Sequence, residues 1–493
     1  MPIAAVLALL FGSGPAAAAA HDAFGCDGAL EKQAWALWDK EIHGFLSNRL
    51  IKERLSTRGD TAALYDFQTY TYNLASMARR CKRTARLMEM ARIVHTAYGA
   101  LEPVSLATSS KWWICRDGPL CHEKAPLHNR EVMLHSVQFL GLASYLANAI
   151  ATSNAPLGAE EQRYINDTVS IAIDHLSRWG NESAIDKVAK AIKATPQDVK
   201  NGSTALLFTD KPLWMITIYA EIAGILDAQG RLGFAIRPAD KQQIEPLRKH
   251  LSTLLAFFSA RVSYHPVKNS KTPAADLDRG FWRNYADGRY AGYEKEEKPA
   301  ECPPPGDTNA EARAVIRIPA HTVPMRSDTG WDISHARRLV PALDALERNR
   351  DAIARVFSVS RDALPSNQLP EAFATALYSV LWNQDPNRPL FSNYWSGANG
   401  WYRVAYEGDK RKCREGHPPY GMTASFPTSG YVTWARYKPA IGTLGRTLYE
   451  VIKSEQEADI AFIEKYYPMF GRSADTQKRA LAEVMFFPSL IAN

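Results

Sequence analysis

The chain has 493 residues, 46% of them hydrophobic, and a formal net charge of +7. A chain of this length and composition can bury a full apolar core, which excludes a disordered protein and a miniprotein held only by disulfides. After residue 20 no uncharged apolar run is long enough to span a bilayer, which excludes a multi-span membrane protein.

Residues 1–20 show the pattern of a secretory signal peptide. An apolar run from Ala4 to Phe11 is broken at Gly14 and followed by small residues suited to cleavage. The basic residues that usually precede such a run are missing, so a short N-terminal helix is the alternative. We expect a mature chain that begins near His21, has no transmembrane segment, and is periplasmic or secreted.

Six cysteines, an even number, agree with an oxidising compartment. No pair has the C-x-x-C spacing of zinc or redox sites, so we expect structural disulfides and neither a metal nor a cofactor. The predicted pairs are Cys115–Cys121, which encloses a short loop, Cys26–Cys81 and Cys302–Cys413.

The positive charge favours an acidic partner, such as an anionic polysaccharide, the cell wall or an anionic membrane face. Nucleic acid is not expected as the partner of an exported protein. The alternative is that a charge of +7 over this length only keeps the protein soluble.

Apolar residues recur at helical spacing through most of the chain, and Gly, Asn and Pro punctuate the short breaks. Strand patterns are rare; the best are Ala314–Ile318 and Val432–Trp434. We predict an all-α fold of helix hairpins that form a full or partial (α/α) toroid, with at most a small β element near 312–320 and 400–433. The predicted helices are 28–56, 62–79, 82–99, 127–152, 158–179, 183–195, 212–229, 240–263, 332–358, 368–383, 434–453, 456–466 and 474–488.

Two long segments interrupt the helices: 264–331, rich in prolines and aromatics, and 384–433, rich in Trp, Tyr, Gly and Asn. Loops of this length inside a compact domain are usually functional or disordered, and the aromatic content argues against disorder. The predicted organisation is an N-terminal helical half at 21–263, the loop region 264–331, and a C-terminal helical half at 332–493 that includes the aromatic loop 384–433.

The first candidate site is the segment His128–Glu131, with His135 close behind. If residues 127–150 form one helix, both histidines lie on its buried face, about 10 Å apart. This separation is too large for one metal ion. The histidines are either hydrogen-bonded core residues or a polar pair lining a cleft, with Asn129 and Arg130 as binding residues beside them.

The second candidate is the segment from Asp332 to Arg338. Asp332 can cap a helix that carries His335 at the head of an apolar stripe. An Asp one turn from a His fixes the ring tautomer, and Arg337 with Arg338 can bind a carboxylate. The alternative is a capped helix with a surface arginine pair; Pro341 either kinks this helix or marks its start.

The third candidate is the aromatic segment 393–403, which also holds asparagines and an arginine. Trp and Tyr rings stack on sugars, while Asn and Arg orient hydroxyl and carboxylate groups. The alternative is aromatic packing under long loops, and a weaker cluster of the same type lies at 281–293. The predicted binding and catalytic residues in and beyond this segment are Trp395, Asn399, Trp401, Tyr402, Arg403 and Tyr431.

The sequence lacks the G-x-S-x-G, P-loop, H-E-x-x-H and G-x-G-x-x-G motifs. A basic, helical, exported chain with histidines at helix starts resembles the secreted (α/α)-toroid carbohydrate enzymes, especially the alginate-lyase and heparinase-type polysaccharide lyases. The residues that carry the resemblance are His128-Asn129, Asp332 to Arg338 and Asn399 to Arg403. The usual Asn-Asn-His order of these lyases is absent here.

The resemblance implies cleavage of an acidic polysaccharide by β-elimination. In such lyases an Asn, His or Arg neutralises the uronate carboxylate, and a Tyr or His moves the proton. Carried to this chain, the first role falls to Arg403, Arg338 and Asn399. The second falls to His335, backed by Asp332, or to Tyr402, with His128 as a further catalytic candidate.

Two other functions fit the same residues. A glycoside hydrolase on this fold needs two carboxyl groups across the scissile bond, and Asp332 with Asp385 or Glu131 would form the pair. A non-catalytic envelope protein would bind a glycan or a partner through its aromatic loops and release no product.

Overall fold

The computed structural model describes residues 23–105, 109–118, 120–200, 204–232, 235, 241–285, 288–294, 298–299, 302, 325–407 and 413–491. The predicted signal segment 1–20 and the predicted strand Ala314–Ile318 lie outside the described residues.

The described part of the chain is mostly helical, as predicted, with seventeen α-helices. Wider π-helical turns continue two of them, at Trp38–Ile42 and Phe45–Thr57 after the first helix and at Leu377–Leu381 after the thirteenth. The helices are α1 (Ala29–Leu37), α2 (Ala62–Arg80), α3 (Thr84–Tyr98), α4 (Met133–Ala151), α5 (Ala159–Trp179), α6 (Glu182–Lys193), α7 (Pro196–Lys200), α8 (Asp210–Ala228), α9 (Lys241–Arg261), α10 (Ile333–Ala336), α11 (Leu339–Arg348), α12 (Arg350–Val356), α13 (Leu369–Ala376), α14 (Ser425–Thr428), α15 (Pro439–Lys453), α16 (Glu457–Tyr466) and α17 (Thr476–Leu490).

Short strands form small antiparallel pairs among the described residues. The predicted strand Val432–Trp434 is wrong, because these residues belong to a 3₁₀ turn, Tyr431–Arg436. A hairpin inside the predicted loop region 264–331 was missed. The pairs are β1 (Glu102–Pro103) with β2 (Lys111–Trp112), β3 (Ile114–Cys115) with β4 (Arg130–Glu131), β5 (Val262–His265) with β6 (Ala274–Leu277), and β7 (Tyr406–Glu407) with β8 (Cys413–Arg414).

Two helices, α4 and α8, form the centre of the core. Nearly every residue of both is buried, since their sequences are apolar all round. They pack against each other; α4 also contacts α2, and α8 contacts α11 and α12, while α2 contacts α17. The amphipathic helices α3, α5 and α9 cover this layer and face solvent on their other side. Among the described helices, none combines the length and apolarity needed to cross a membrane.

The predicted helix 332–358 is divided into α10, α11 and α12. Pro341 is the third residue of α11, where a backbone N–H would have no intrahelical partner. A proline there removes no hydrogen bond, so it accompanies the start of α11 rather than a kink.

The predicted helix 127–152 begins only at Met133, which corrects the first candidate site. The Cys115–Cys121 disulfide and the pairing of β3 with β4 hold residues before Met133 in a looped hairpin. His128 therefore does not lie on the buried helix face that carries His135.

Two predicted disulfides are confirmed. Cys26 and Cys81 are bonded, with Cα atoms 5.5 Å apart, and so are Cys115 and Cys121, with Cα atoms 5.6 Å apart. Cys302 is also disulfide-bonded, and the side chain of its predicted partner, Cys413, lies outside the described residues.

Candidate functional site

Asp332 and His335 form the centre of the site. Asp332 is buried and caps α10, because its Oδ1 accepts hydrogen bonds from the backbone N–H groups of Ser334 (2.9 Å) and His335 (3.0 Å). Its Oδ2 accepts a hydrogen bond from Nδ1 of His335 at 2.5 Å. Burial alone would raise the pKa of Asp332, but the charge and hydrogen bond of His335 and the charge of Arg403 hold it well below its usual range.

The ionised carboxylate decides which ring nitrogen of His335 carries a proton. The short hydrogen bond to Asp332 requires the proton on Nδ1, so in the neutral imidazole Nε2 carries the lone pair. Nε2 has no hydrogen bond to the described residues, and the side chain is 15% exposed. The site therefore presents an accessible proton acceptor in a fixed orientation.

Tyr402 lies beside the same histidine. Its hydroxyl oxygen is 3.2 Å from Nδ1 of His335, and its ring is buried against Tyr290 and Tyr394, with ring centroids 5.2 and 5.9 Å away. Burial raises the pKa of Tyr402 well above its usual value. The phenol therefore keeps its proton at neutral pH, and a proton donor lies beside the ring nitrogen of His335 that faces Asp332.

Arg403 adds a positive charge to this cluster. Its Nε donates a hydrogen bond to the hydroxyl of Tyr290 at 2.9 Å, and its guanidinium carbon lies 5.3 Å from the ring centroid of Tyr402. The backbone φ of Arg403 is +54° and that of Ala405 is +47°. Such angles are costly for residues other than glycine, and they accompany constrained loops at functional sites.

Aromatic and imidazole rings surround the centre. The ring of Trp282 lies 5.6 Å from that of His335, and the ring of Trp331 lies 6.4 Å away. His417 is exposed, exchanges two backbone hydrogen bonds with Tyr402 (2.9 and 2.8 Å), and places its ring 5.9 Å from the tyrosine ring. Its ring still reaches solvent, but crowding by neighbouring protein atoms, followed by the charge of Arg403, lowers the pKa of His417.

Backbone pairing brings the second and third candidate segments together, although His335 and Tyr402 are 67 residues apart. The N–H of Ile333 donates to the carbonyl of Asn393 at 2.9 Å, and that of Trp395 donates to the carbonyl of Trp331 at 2.8 Å. The aromatic segment is therefore fixed against the strand-like residues that precede α10.

Side chains inside the aromatic segment hold its shape. The buried amide of Asn393 donates to the carbonyl of Gly400 at 2.9 Å, and Oδ1 of Asn399 accepts from the backbone N–H of Tyr420 at 2.7 Å. A Cβ at Gly400 would lie only 2.3 Å from the carbonyl oxygen of Gly292, so only glycine fits there. Trp401 is 5% exposed and packs below the site.

Arg337 and Arg338 both contact Tyr65, which was not among the candidate site residues predicted from the sequence. Nη2 of Arg337 and Nη2 of Arg338 donate to the hydroxyl of Tyr65, at 2.9 and 2.8 Å, and Arg338 also forms an ion pair with Asp210 at 3.2 Å. Burial would raise the pKa of Tyr65, but the two guanidinium groups lower it overall. Tyr65 lies within an ordinary amphipathic helix pattern, and its arginine partners are more than 270 residues away, at separations of 272 and 273.

Other predicted residues lie apart from this centre. His128 lies in the loop before β4, where Nδ1 donates to the carbonyl of Cys121 at 2.8 Å, and Asn129 and Arg130 are exposed beside it. None of these three contacts His335 in the described structure.

Trp395 and Tyr431 are fully enclosed in the core. The indole N–H of Trp395 donates to the carbonyl of Ala275 at 3.0 Å, and the hydroxyl of Tyr431 donates to the carbonyl of Ile333 at 2.6 Å. Both side chains are packed inside the core next to the site, and neither leaves a ring face open to a ligand.

The geometry combines a proton acceptor (His335 Nε2), a neutral phenol (Tyr402) and a cation (Arg403) within one cluster of rings. This set suits removal of a proton next to a negatively charged group, because the cation stabilises the charge that builds up there. Comparisons of this chain with protein-family models, with curated proteins and with solved structures gave no match.

Proposed function

We propose that this protein is an exported enzyme that cleaves an acidic polysaccharide by β-elimination. The observation that carries the proposal is the convergence of His335, Tyr402 and Arg403 from two distant segments, with Asp332 orienting the histidine. A lyase needs a base, an acid and a group that neutralises the carboxylate, and this cluster offers one residue for each role.

The proposed reaction begins at C5 of a uronate. Nε2 of His335 takes the C5 proton while Asp332 stabilises the imidazolium that forms. The electron pair of the C5–H bond becomes the C4–C5 double bond, and the C4–O bond breaks. The phenol of Tyr402 gives its proton to the departing oxygen, so one product ends in an unsaturated uronate and the other in a hydroxyl group.

Arg403 is the residue we assign to the substrate carboxylate. Proton removal at C5 places negative charge on that carboxylate, and a guanidinium group next to it lowers the barrier. Arg338 suits this role less well, because its guanidinium is already paired with Asp210 and Tyr65. Arg337 and Arg338 instead hold Tyr65, whose ring lies 6.1 Å from that of His135.

The hydrolase alternative is weaker on this geometry. A hydrolase needs one carboxyl group that is protonated at working pH, and Asp332 has its pKa held below the usual range. Glu131 accepts from Arg178 and from Trp179, each at 3.2 Å, and Asp385 accepts from loop N–H groups. Each of these carboxylates already serves a local structural role.

The arrangement of the helices supports the toroid. Five helices contact one another in succession and form an inner layer: α17, α2, α4, α8 and α11. The helices α3, α5 and α9, which alternate in sequence with members of this layer, lie outside it. This alternation is what a ring of helix hairpins requires. The disulfides agree with an oxidising compartment, periplasmic or extracellular.

The test is incubation of the oxidised protein with alginate, polygalacturonate and a glycosaminoglycan. β-Elimination is expected to raise ultraviolet absorbance, because each cut creates a conjugated unsaturated uronate, and to raise reducing ends in equal number. New reducing ends without absorbance would replace the lyase with a hydrolase. Binding of a polymer with neither product would identify a non-catalytic glycan-binding protein.

A further inference from the structure

A cavity of about 500 Å³ lies away from His335, between α2, α4, α11 and α15 and the end of α17. Its walls are unusually rich in arginine. The arginines that line it are Arg79, Arg80, Arg348, Arg436 and Arg446, and the one carboxylate among the lining residues is Asp344.

Three of these guanidinium groups have no carboxylate partner among the described residues. Arg80 donates to Ser76 and to backbone carbonyls, and Arg446 donates to Thr443 at 3.4 Å. Arg79 donates to Thr152 at 3.4 Å, and its guanidinium carbon lies 5.7 Å from the ring centroid of Tyr145. Nη1 of Arg79 is enclosed and makes no hydrogen bond. None of the three therefore forms an ion pair with a described acidic residue, although the charge of Asp344 also acts on Arg79 and Arg80.

The other two arginines are balanced. Arg348 pairs with Asp344 at 2.7 Å and with the buried Glu221 at 2.6 Å, and Arg436 pairs with Asp344 at 3.0 Å and with Glu347 at 3.1 Å. Asp344 is thereby shared between two cations. The cavity keeps a net positive charge.

Two tyrosines complete the wall. Tyr72 is 6% exposed and Tyr145 2% exposed, both line the cavity, and neither hydroxyl has a hydrogen-bond partner among the described residues. Burial raises the pKa of both phenols, so each keeps a proton to donate. Neither hydroxyl oxygen is itself enclosed, so each can donate to an oxygen of a ligand or of water in the cavity.

We propose that this cavity is a second binding site, for a small organic anion that carries two or more carboxylate or phosphate groups. The cavity volume is in the range found for small-molecule binding sites. It is larger than the volume that a single inorganic ion fills. Arg79, Arg80 and Arg446 meet the charged groups, and Tyr72 and Tyr145 donate to their oxygens. The site is independent of the proposed lyase chemistry.

The test is calorimetric titration of the protein with citrate and with fructose 1,6-bisphosphate, neither of which is a uronate, in low salt and in high salt. Binding of citrate marks a carboxylate ligand and binding of the bisphosphate a phosphate ligand, and salt should weaken either. Arg446→Gln, at an exposed position, should weaken binding about tenfold, and Arg79→Gln with Arg446→Gln together about 100-fold.

A matched control tests whether any loss of affinity is specific to the arginines that line the cavity. Arg92→Gln removes the same charge from an exposed ion pair with Glu160 and should leave affinity unchanged. The proposal fails if neither probe binds, or if the protein with Arg79→Gln and Arg446→Gln together binds both probes as tightly as the wild type does. Either failure leaves the lyase proposal standing, since that is read from product formation.

Discussion

Asp332 holds His335 in two ways at once: one carboxylate oxygen caps the helix turn that carries the histidine, and the other accepts the ring N–H at 2.5 Å. The position of the imidazole and its tautomer are therefore set by a single side chain. The same carboxylate is buried and ionised, so it also stabilises the imidazolium that forms when His335 takes a proton.

Asp332→Asn should abolish most activity with little loss of stability. Asn caps helices as well as Asp does, so the free energy of unfolding should change by less than about 1 kcal/mol. The amide N–H would face Nδ1 of His335, favour the tautomer with the proton on Nε2, and remove the proton acceptor. Turnover on the responsive polymer should fall about 1,000-fold.

Asp475→Asn is the matched control for this exchange. Asp475 caps α17 and accepts from the backbone N–H of Lys478 at 2.9 Å, far from the cluster in sequence. Its turnover should equal that of the wild type. If Asp332→Asn retains full turnover, the carboxylate is only a cap.

His335→Ala should lower turnover by about 100-fold or more, the usual scale for loss of a general base. It also leaves Oδ2 of Asp332 without its partner, which should cost about 1–3 kcal/mol in the free energy of unfolding. His95→Ala is a suitable control, because His95 forms a similar pair with Asp167 at 2.9 Å on the surface. A protein that loses stability but keeps its rate would show that His335 is structural.

Tyr402→Phe removes the hydroxyl and keeps the ring that packs on Tyr290 and Tyr394. Without the proton donor, turnover should fall about 100-fold while the melting temperature stays near that of the wild type. Tyr164→Phe, which removes a buried hydroxyl that donates to Ala143 at 3.0 Å, should show the reverse pattern. Unchanged turnover in Tyr402→Phe would assign the acid role to another group, such as His417.

Much of the helical fold could be predicted because its signal is local. The spacing of apolar residues predicts most of the helices, and Asp332 predicts the helix cap that the structure shows. The start of the predicted helix 127–152 is wrong, because apolar periodicity continues back into a segment that a disulfide and a strand pair hold outside the helix. Periodicity does not register such long-range constraints.

The site was harder to predict, because aromatic residues of the core and of a binding surface look alike in sequence. Trp395 and Tyr402 lie seven residues apart in the same segment and are both buried, yet the indole of Trp395 donates to the carbonyl of Ala275, whereas the hydroxyl of Tyr402 lies beside His335. Tyr65 gave no signal at all, since only the fold brings it to Arg337 and Arg338.

The two disulfides should differ in their contribution to stability. Cys26 and Cys81 are 55 residues apart, whereas Cys115 and Cys121 are 6 apart. Loop-closure entropy predicts losses of about 4 and about 2 kcal/mol when each pair is replaced by serine. Denaturant unfolding of the two double-serine variants measures both values, and a larger loss for the shorter loop would contradict the expectation.

The last prediction concerns His250, which is 1% exposed and whose Nδ1 lies 2.9 Å from the hydroxyl of Tyr219. Burial lowers the pKa of His250 from 6.5 to about 4. Between these values the unfolded chain binds a proton that the folded protein does not, so the histidine's contribution to stability falls as the pH falls from 6.5 to 4.

His250→Gln removes this titration. The difference in unfolding free energy between wild type and variant should therefore be constant above pH 6.5 and shift by up to about 3 kcal/mol in favour of the variant by pH 4. Asp276 and Asp278, whose pKa burial raises to about 7, titrate in the same window, but they do so in both proteins and cancel. Tyr164→Phe removes a buried hydroxyl that donates to Ala143 instead, so its difference from the wild type should not depend on pH. A flat difference for His250→Gln as well would show that His250 has the same pKa in the folded and the unfolded chain.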